Sequence, residues 1–217
     1  MGQASTEFRF STKLDQTILL GKKATNVLEL LDGIKTVPDS SIYFHTHKFL
    51  QQHDYLSPEP PNDFAYWVTN ILNEAVLGEN LSSMDIIQFH KISDLRNRFI
   101  EIIVAYLRCA YRPVAAPPGQ EFYFMSSQTF VLQTAHLAHN LAEFKEILKK
   151  VSIHSLYYHV FDAYLRMEQE ENDFSMWFRR IGETELAAKV RSLDPYMYTL
   201  EGLRQEIIRL VDIHGKH

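Results

Sequence analysis

Three short blocks of sequence occur twice in this chain, and both occurrences keep the same order. Residues 7–10 resemble residues 121–124, residues 41–45 resemble residues 155–159, and residues 62–67 resemble residues 172–177. An internal repeat constrains the architecture before any other signal is considered. This repeat predicts two similar modules, at residues 7–111 and 121–214, which are joined by a Pro-rich linker over residues 112–120.

The apolar spacing within each module predicts mainly helices. Asn26 and Asn140 each precede apolar residues at the i, i+3, i+4 spacing of an amphipathic helix, and Asn is a favoured N-cap. Further helices are expected after Pro38 and Ser152, and after Asn62 and Asn172. A last helix is expected at about residues 93–110 in one module and 200–213 in the other.

Two short apolar runs precede the helices in each module and predict short strands or a small hairpin. We therefore expect a mainly α fold with short β-strands or hairpins. The two modules are expected to pack with pseudo-twofold symmetry, by analogy with dimers that pair through the same surface.

Charge and composition exclude several classes of function. The net charge is −5, with a pI near 6.0, so the chain lacks the basic footprint that nucleic acid binding requires. No apolar run approaches the roughly 20 residues that cross a bilayer, and no apolar segment typical of a secretory signal stands near Met1. The single cysteine, Cys109, excludes an internal disulfide and favours a cytoplasmic location.

The repeated polar residues have a structural interpretation. His45 and His159 are expected to be partly buried, each bonded to a neighbour such as the carboxylate of Asp63 or Asp173. Asn62 or Asp63 is expected to cap a helix, and the same block recurs at Asn172 and Asp173. The tryptophan of each block is expected to be a core anchor whose indole N–H finds a carboxylate or a backbone carbonyl.

The same residues also allow a binding hypothesis. Aromatic and polar side chains could surround a small ligand or a carbohydrate in a cleft between the two repeats. The candidate ligand-binding residues are Tyr43, His45, Asp63, Trp67, Tyr157, His159, Asp173 and Trp177.

A third hypothesis is a metal-dependent hydrolase that uses His45, His47 and Asp63, or His136 and His139. The first two histidines are two residues apart and would point to different helix faces. The second pair has helical ligand spacing but lacks the neighbouring glutamate of a His-Glu-x-x-His motif. The chain also contains no glycine-rich phosphate loop and no Gly-x-Ser-x-Gly motif. The sequence therefore predicts no catalytic residue, no metal ligand and no cofactor.

Four segments together resemble a known family. They are Thr-Asn-x-x-Glu-Leu-Leu from Thr25, Pro-Asp-Ser-Ser-Ile-Tyr-Phe-His-Thr-His from Pro38, the two Asn-Asp-Phe-x-x-Trp blocks, and Tyr-Thr-Leu-Glu-Gly-Leu-Arg from Tyr198. The chain is similar, from about Phe8 to Val211, to an uncharacterised prokaryotic family described only as a domain of unknown function. The resemblance implies a bacterial or archaeal cytoplasmic protein and supplies no activity.

Of the three hypotheses, the sequence favours a non-catalytic interaction or regulatory protein. Each repeated polar residue already has a structural role, so none is left over for chemistry. The expected partner is another protein rather than nucleic acid or a membrane, and the sequence leaves the oligomeric state open.

Overall fold

The computed structural model describes residues 7–48, 61–110, 114–167, 171–193 and 197–214. These residues form a mainly helical fold with one two-stranded antiparallel sheet. The first half contains β1 (Phe8–Ala24), α1 (Val27–Thr36), α2 (Asp39–Tyr43), a π-helical segment (Phe44–Lys48), α3 (Asp63–Asn70), α4 (Ala75–Ser82), a 3₁₀ turn (Ile86–Gln88) and α5 (Ile92–Ala110). The second half contains β2 (Phe122–Ala138), α6 (Leu141–Leu148), α7 (Ile153–Val160), α8 (Asp162–Met167), α9 (Asp173–Arg180), α10 (Thr184–Arg191) and α11 (Leu200–His214).

Asparagine side chains begin four of these helices, which confirms the capping predicted from sequence. The side-chain oxygens of Asn26, Asn62, Asn140 and Asn172 each accept the backbone N–H three residues ahead. Each bond satisfies one of the amides that the first turn of a helix leaves without a partner. These four caps fix where α1, α3, α6 and α9 begin.

Two helices, α4 and α10, were not predicted from sequence. Their N-cap residues are Glu74 and Glu183, and neither side chain makes a capping hydrogen bond. Both helices are eight residues long and bury leucines, Leu77 and Leu81 in the first and Leu186 in the second. They are therefore held by packing rather than by a local start signal.

The prediction of short strands or hairpins is wrong in strand length. β1 and β2 are each 17 residues long, and the two apolar runs of each module lie on one continuous strand. The residues between the two runs of β1, Ser11–Gln16, include neither Gly nor Pro, so no residue there requires a turn.

Contacts divide the described residues into two compact units, and both strands contribute to each. The α1–α5 unit comprises residues 15–48 and 61–128, and the α6–α11 unit comprises residues 7–14 and 129–214. The predicted modules, at residues 7–111 and 121–214, are each continuous in sequence. The two units are defined by contacts between residues, and each combines separate stretches of the chain. The module boundaries and the pseudo-twofold packing therefore stay predictions. Residues 112 and 113 of the predicted linker lie outside the described residues.

The core of the α1–α5 unit is completed by β2. Phe122 and Phe124 belong to one buried cluster with residues of α1, α3, α4 and α5. Phe122 lies 5.3 Å from Phe64 and 5.7 Å from Trp67 between ring centres. The Phe124 ring lies against Gly33 of α1, where an added Cβ would come within 2.0 Å of it. The helices of the first half therefore enclose a strand segment from the second half.

The core of the α6–α11 unit is completed by β1. Phe8 lies 5.3 Å from Phe174 and 5.7 Å from Trp177 between ring centres. Phe10 packs against Phe144 at 5.3 Å and is fully buried. The contacts of Phe8 and Phe10 in this unit thus correspond to those of Phe122 and Phe124 in the other.

None of the helices in the described part of the chain has the length and apolar character needed to cross a membrane.

Candidate functional site

The imidazole of His45 joins a helix to a strand within the α1–α5 unit. Its Nδ1 lies 2.7 Å from Asp63 Oδ2, at the start of α3, and its Nε2 accepts the backbone N–H of Met125 on β2 at 2.9 Å. The His45 side chain is buried, while the Asp63 side chain keeps 29% exposure. The predicted pairing of His45 with Asp63 is confirmed.

His159 makes the same pair of bonds in the α6–α11 unit. Its Nδ1 lies 2.7 Å from Asp173 Oδ2, at the start of α9, and its Nε2 accepts the backbone N–H of Ser11 on β1 at 2.8 Å. The predicted pairing of His159 with Asp173 is therefore also confirmed.

These bonds fix the tautomer of both rings. A backbone N–H can only donate, so Nε2 of His45 and of His159 must carry a lone pair. The ring proton then lies on Nδ1 and is donated to the aspartate. Neither imidazole keeps a nitrogen that could accept a substrate proton or bind a metal ion without breaking one of these bonds. A histidine–aspartate pair, which elsewhere orients a general base, serves here to attach a strand to a helix.

The two tryptophans lie at the cores of their units, with little ring surface exposed. Trp67 is 5% exposed and Trp177 is 2% exposed. The indole N–H of Trp67 donates to the carbonyl oxygen of Gln120 at 2.8 Å, so of the two predicted kinds of acceptor it is the backbone carbonyl that is used.

The tyrosines predicted to contact a ligand are also engaged within the fold. Tyr43 stacks on His47 at 5.5 Å between ring centres, and Tyr157, 2% exposed, lies under the ammonium of Lys13 at 4.6 Å. Of the eight candidate binding residues, Tyr43, His45, Asp63 and Trp67 lie in the α1–α5 unit, and Tyr157, His159, Asp173 and Trp177 lie in the α6–α11 unit.

The residues of the metal hypothesis do not converge. His45 and His47 lie in the π-helical segment, whereas His136 lies on β2 and His139 follows the end of that strand, so the helical spacing considered for this pair does not apply. Across the residues that the structure describes, no three His, Cys, Asp or Glu side chains are close enough to hold a metal ion.

One cavity adjoins the His45–Asp63 pair, and the sequence predicted only part of it. It has a volume of about 240 Å³ and lies wholly within the α1–α5 unit. Asp63 and Trp67 were candidates from sequence, whereas Glu121, just before β2, and Tyr123, on β2, were not, because they are remote from Asp63 in sequence. The lining residues are Phe44, His45, Asp63, Tyr66, Trp67, Glu121, Phe122, Tyr123 and Met125.

A larger cavity of about 710 Å³ lies elsewhere in the same unit and was not predicted at all. It is formed by α4, the 3₁₀ turn and α5. Met84, Phe89 and Ile102 supply apolar surface there, and Arg98 and Glu101 form an ion pair of 3.0 Å. No repeated motif includes these residues, so no pattern in the sequence predicts this cavity.

The middle of β2 exposes three consecutive apolar side chains. Thr129–Gln133 are all exposed, and within them Phe130, Val131 and Leu132 are 46%, 49% and 46% exposed. Successive strand residues point to opposite faces, so apolar side chains are exposed on both sides. All 17 residues of β2 lack formal charge, since the strand contains no Asp, Glu, Lys or Arg.

The comparisons with known proteins agree with the described fold and carry no activity. Residues 5–212 match the sequence model of a family described as "Family of unknown function (DUF5752)". A solved structure, OrfY from Thermoproteus tenax, is similar with a TM-score of 0.81 and 26% sequence identity, over 100% of this chain and 99% of that one. A search of curated proteins finds no match.

Proposed function

We propose that this chain, which belongs to the DUF5752 family of unknown function, is a non-catalytic protein that binds another protein through the exposed middle of β2. The observation that carries the proposal is the uncharged apolar surface of Thr129–Gln133. Soluble proteins usually guard a sheet edge with charge, a bulge or a covering element. This segment has no charge, and its side chains are exposed.

The chemistry of β2 specifies what the partner presents. In a two-stranded sheet, each strand has one edge that does not pair with the other strand. A partner that adds an extended segment to the outer edge of β2 would gain main-chain hydrogen bonds and contacts with Phe130, Val131 and Leu132. Because β2 carries no formal charge, the fitting segment is apolar and uncharged. We therefore propose an extended apolar segment of another protein as the occupant.

The two histidine–aspartate pairs support the non-catalytic part of the proposal, because their bonds lie within the fold. His45 and His159 are the repeated residues best suited to acid–base chemistry, and both ring nitrogens of each are already bonded within the fold. The signature that recurs in the sequence is therefore explained by attachment of strands to helices.

A photo-crosslinking experiment in the cells that make the protein tests the interaction. We expect a benzoylphenylalanine at position 130 to crosslink one partner species through an extended, uncharged peptide identified by mass spectrometry. The same probe at Val76, an exposed position on α4, is the matched control and should not crosslink that peptide. Val131→Lys, which places a charge on the strand, should abolish the crosslink. Crosslinks to a second copy of the chain, or equal crosslinks at positions 76 and 130, would overturn the proposal.

A second candidate function is a small-ligand binder, and the observation that favours it is the cavity of about 710 Å³ bordered by α4 and α5. Its volume lies in the usual range for small-molecule sites, and its wall combines apolar surface with an Arg98–Glu101 pair. A thermal-shift screen of metabolites would identify a ligand for this cavity.

A further inference from the structure

The cavity at Asp63 combines aromatic rings with negative charge. Phe44, Tyr66, Trp67 and Tyr123 contribute rings, and Asp63 and Glu121 contribute carboxylates. Tyr66 and Tyr123 are 43% and 45% exposed, so the rim is accessible to solvent. Aromatic faces and carboxylates together attract organic cations.

The negative charge of Asp63 is not neutralised by a cation in the described structure. Asp63 is bonded to the His45 ring, which is neutral in the tautomer that Met125 imposes. Glu121 accepts a hydrogen bond from Lys23 at 3.2 Å, and hydrogen bonds from backbone N–H groups and from Lys23 lower the pKa of its carboxyl group. Among the described residues, the cavity thus contains one carboxylate without a cation and a second that is paired with Lys23.

In the α6–α11 unit, a guanidinium group occupies the position that corresponds to the cavity at Asp63. There the guanidinium of Arg166 lies 4.3 Å from the centre of the Tyr158 ring, and Tyr158 corresponds to Phe44 in the sequence repeat. One guanidinium nitrogen lies 2.7 Å and 2.6 Å from the two oxygens of Asp173, which corresponds to Asp63. Burial alone would lower the pKa of Arg166, but the pair with Asp173 outweighs it and raises that pKa.

Among the described residues of the α1–α5 unit, no arginine pairs with Asp63 in this way. The chain between His45 and Asp63 contains no Arg, and its one Lys is Lys48. The Lys48 ammonium lies 4.8 Å from the centre of the Phe44 ring and donates to Thr17. Within the described parts of the chain, one unit therefore places its own guanidinium at the aspartate, and the other has a cavity beside it.

We propose that the cavity at Asp63 binds a guanidinium group, in the manner in which Arg166 occupies the corresponding position in the α6–α11 unit. The group belongs either to an arginine side chain of a partner protein or to a free guanidino compound. It pairs with the free oxygen of Asp63 and packs against the aromatic rings of the rim. This site is separate from the β2 surface, so either proposal can fail without the other.

The two tryptophans of the chain give each unit its own probe. Trp67 lines the cavity at Asp63, and Trp177 lies beside Phe8 in the other unit. In an NMR titration with blocked arginine (N-acetyl-arginine amide), we expect the indole N–H signal of Trp67 to shift and that of Trp177 to stay in place. The neutral isostere citrulline, blocked in the same way, should shift neither signal.

Titrations with blocked arginine, with an arginine-containing tripeptide and with free arginine together distinguish the two sources of the guanidinium group, a protein side chain and a free metabolite.

Three variants complete the test. Asp63→Asn should weaken binding of blocked arginine at least tenfold. Tyr123→Ala, which leaves the His45–Asp63 pair intact, should weaken it measurably without loss of the folded spectrum. Arg166→Ala empties the corresponding position, so the Trp177 signal should now shift as well and the stoichiometry should rise from one to two.

The proposal is overturned if blocked arginine at concentrations on the order of 10 mM leaves the Trp67 signal unmoved, since that excludes even a millimolar Kd. Equal shifts with citrulline, or binding that Asp63→Asn and Tyr123→Ala both leave unchanged, would overturn it too.

Discussion

At the scale of single residues, the repeated histidines show how a reactive side chain can be used for structure alone. An imidazole that donates through Nδ1 and accepts through Nε2 joins an aspartate at a helix start to a backbone amide on a strand. His45 and His159 both do this with nearly identical distances. The geometry explains why this block recurs in a chain whose other surface positions differ between the halves.

The His45 bridge should have a measurable effect on stability. His45→Ala leaves the Met125 amide without an acceptor and Asp63 without its donor. We expect the free energy of unfolding to fall by about 3 kcal/mol, since each buried polar group that loses its hydrogen-bond partner costs about 1–3 kcal/mol. Urea unfolding checks this value. His136→Ala, at an exposed histidine on β2, is the control and should stay within about 0.5 kcal/mol of the wild type. Equal losses for both variants would contradict the structural role of His45.

At the scale of elements, the helices that could be predicted from sequence are those whose first residue is determined by a few adjacent residues. The asparagine caps and the apolar spacing located α1, α3, α6 and α9 because both signals are local. Helices α4 and α10 lack a side-chain cap and depend on packing, which a local pattern does not encode. The cavity at Asp63 was only partly predicted for the same reason, because Glu121 and Tyr123 come from a segment that is remote from Asp63 in sequence.

The contact between α1 and β2 gives a prediction at this scale. Gly33→Ala should favour an isolated helix by about 1 kcal/mol. In the folded chain, however, the new Cβ would lie 2.0 Å from Phe124 Cζ, within a buried ring. We expect net destabilisation of about 1–3 kcal/mol from overpacking, measured by thermal or urea unfolding. Gly202→Ala in α11 is the comparison and should cost less, because its Cβ would meet the Thr199 hydroxyl at 3.1 Å and Tyr198 at 3.8 Å. A stabilised Gly33→Ala protein would show that Phe124 does not pack as described.

At the scale of the whole molecule, each compact unit depends on a strand segment from the other half of the sequence. Phe122 and Phe124 complete the core that α1–α5 build, and Phe8 and Phe10 complete the core that α6–α11 build. The internal repeat does not predict this exchange of strand segments. The sequence of a block such as Glu-Phe-x-Phe is the same whether the block packs against the helices of its own half or against those of the other half. Only the contacts in the structure distinguish these two arrangements.

The exchange predicts what a single cut in the chain does. Cleavage at a protease site inserted between residues 114 and 120 should leave both fragments in one folded species, because each supplies two buried phenylalanines to the other. Size-exclusion chromatography with mass spectrometry checks this result. Each fragment expressed alone should lack a cooperative melt. Fragments that separate while both keep a cooperative melt would contradict the exchange of strand segments.

The exchanged strands also impose an order on biosynthesis. A ribosome releases α1 to α5 before it has made residues 122–128, so the first set of helices emerges with its core incomplete. Residues 8–14 wait longer still, until α6 to α11 have been translated. Nascent chains of this protein therefore display apolar helix faces and an unmatched strand for most of their synthesis, a state that invites aggregation. Folding of either unit is tied to the arrival of β2 at the tunnel exit, and a chaperone that shields the early helices would act in that interval.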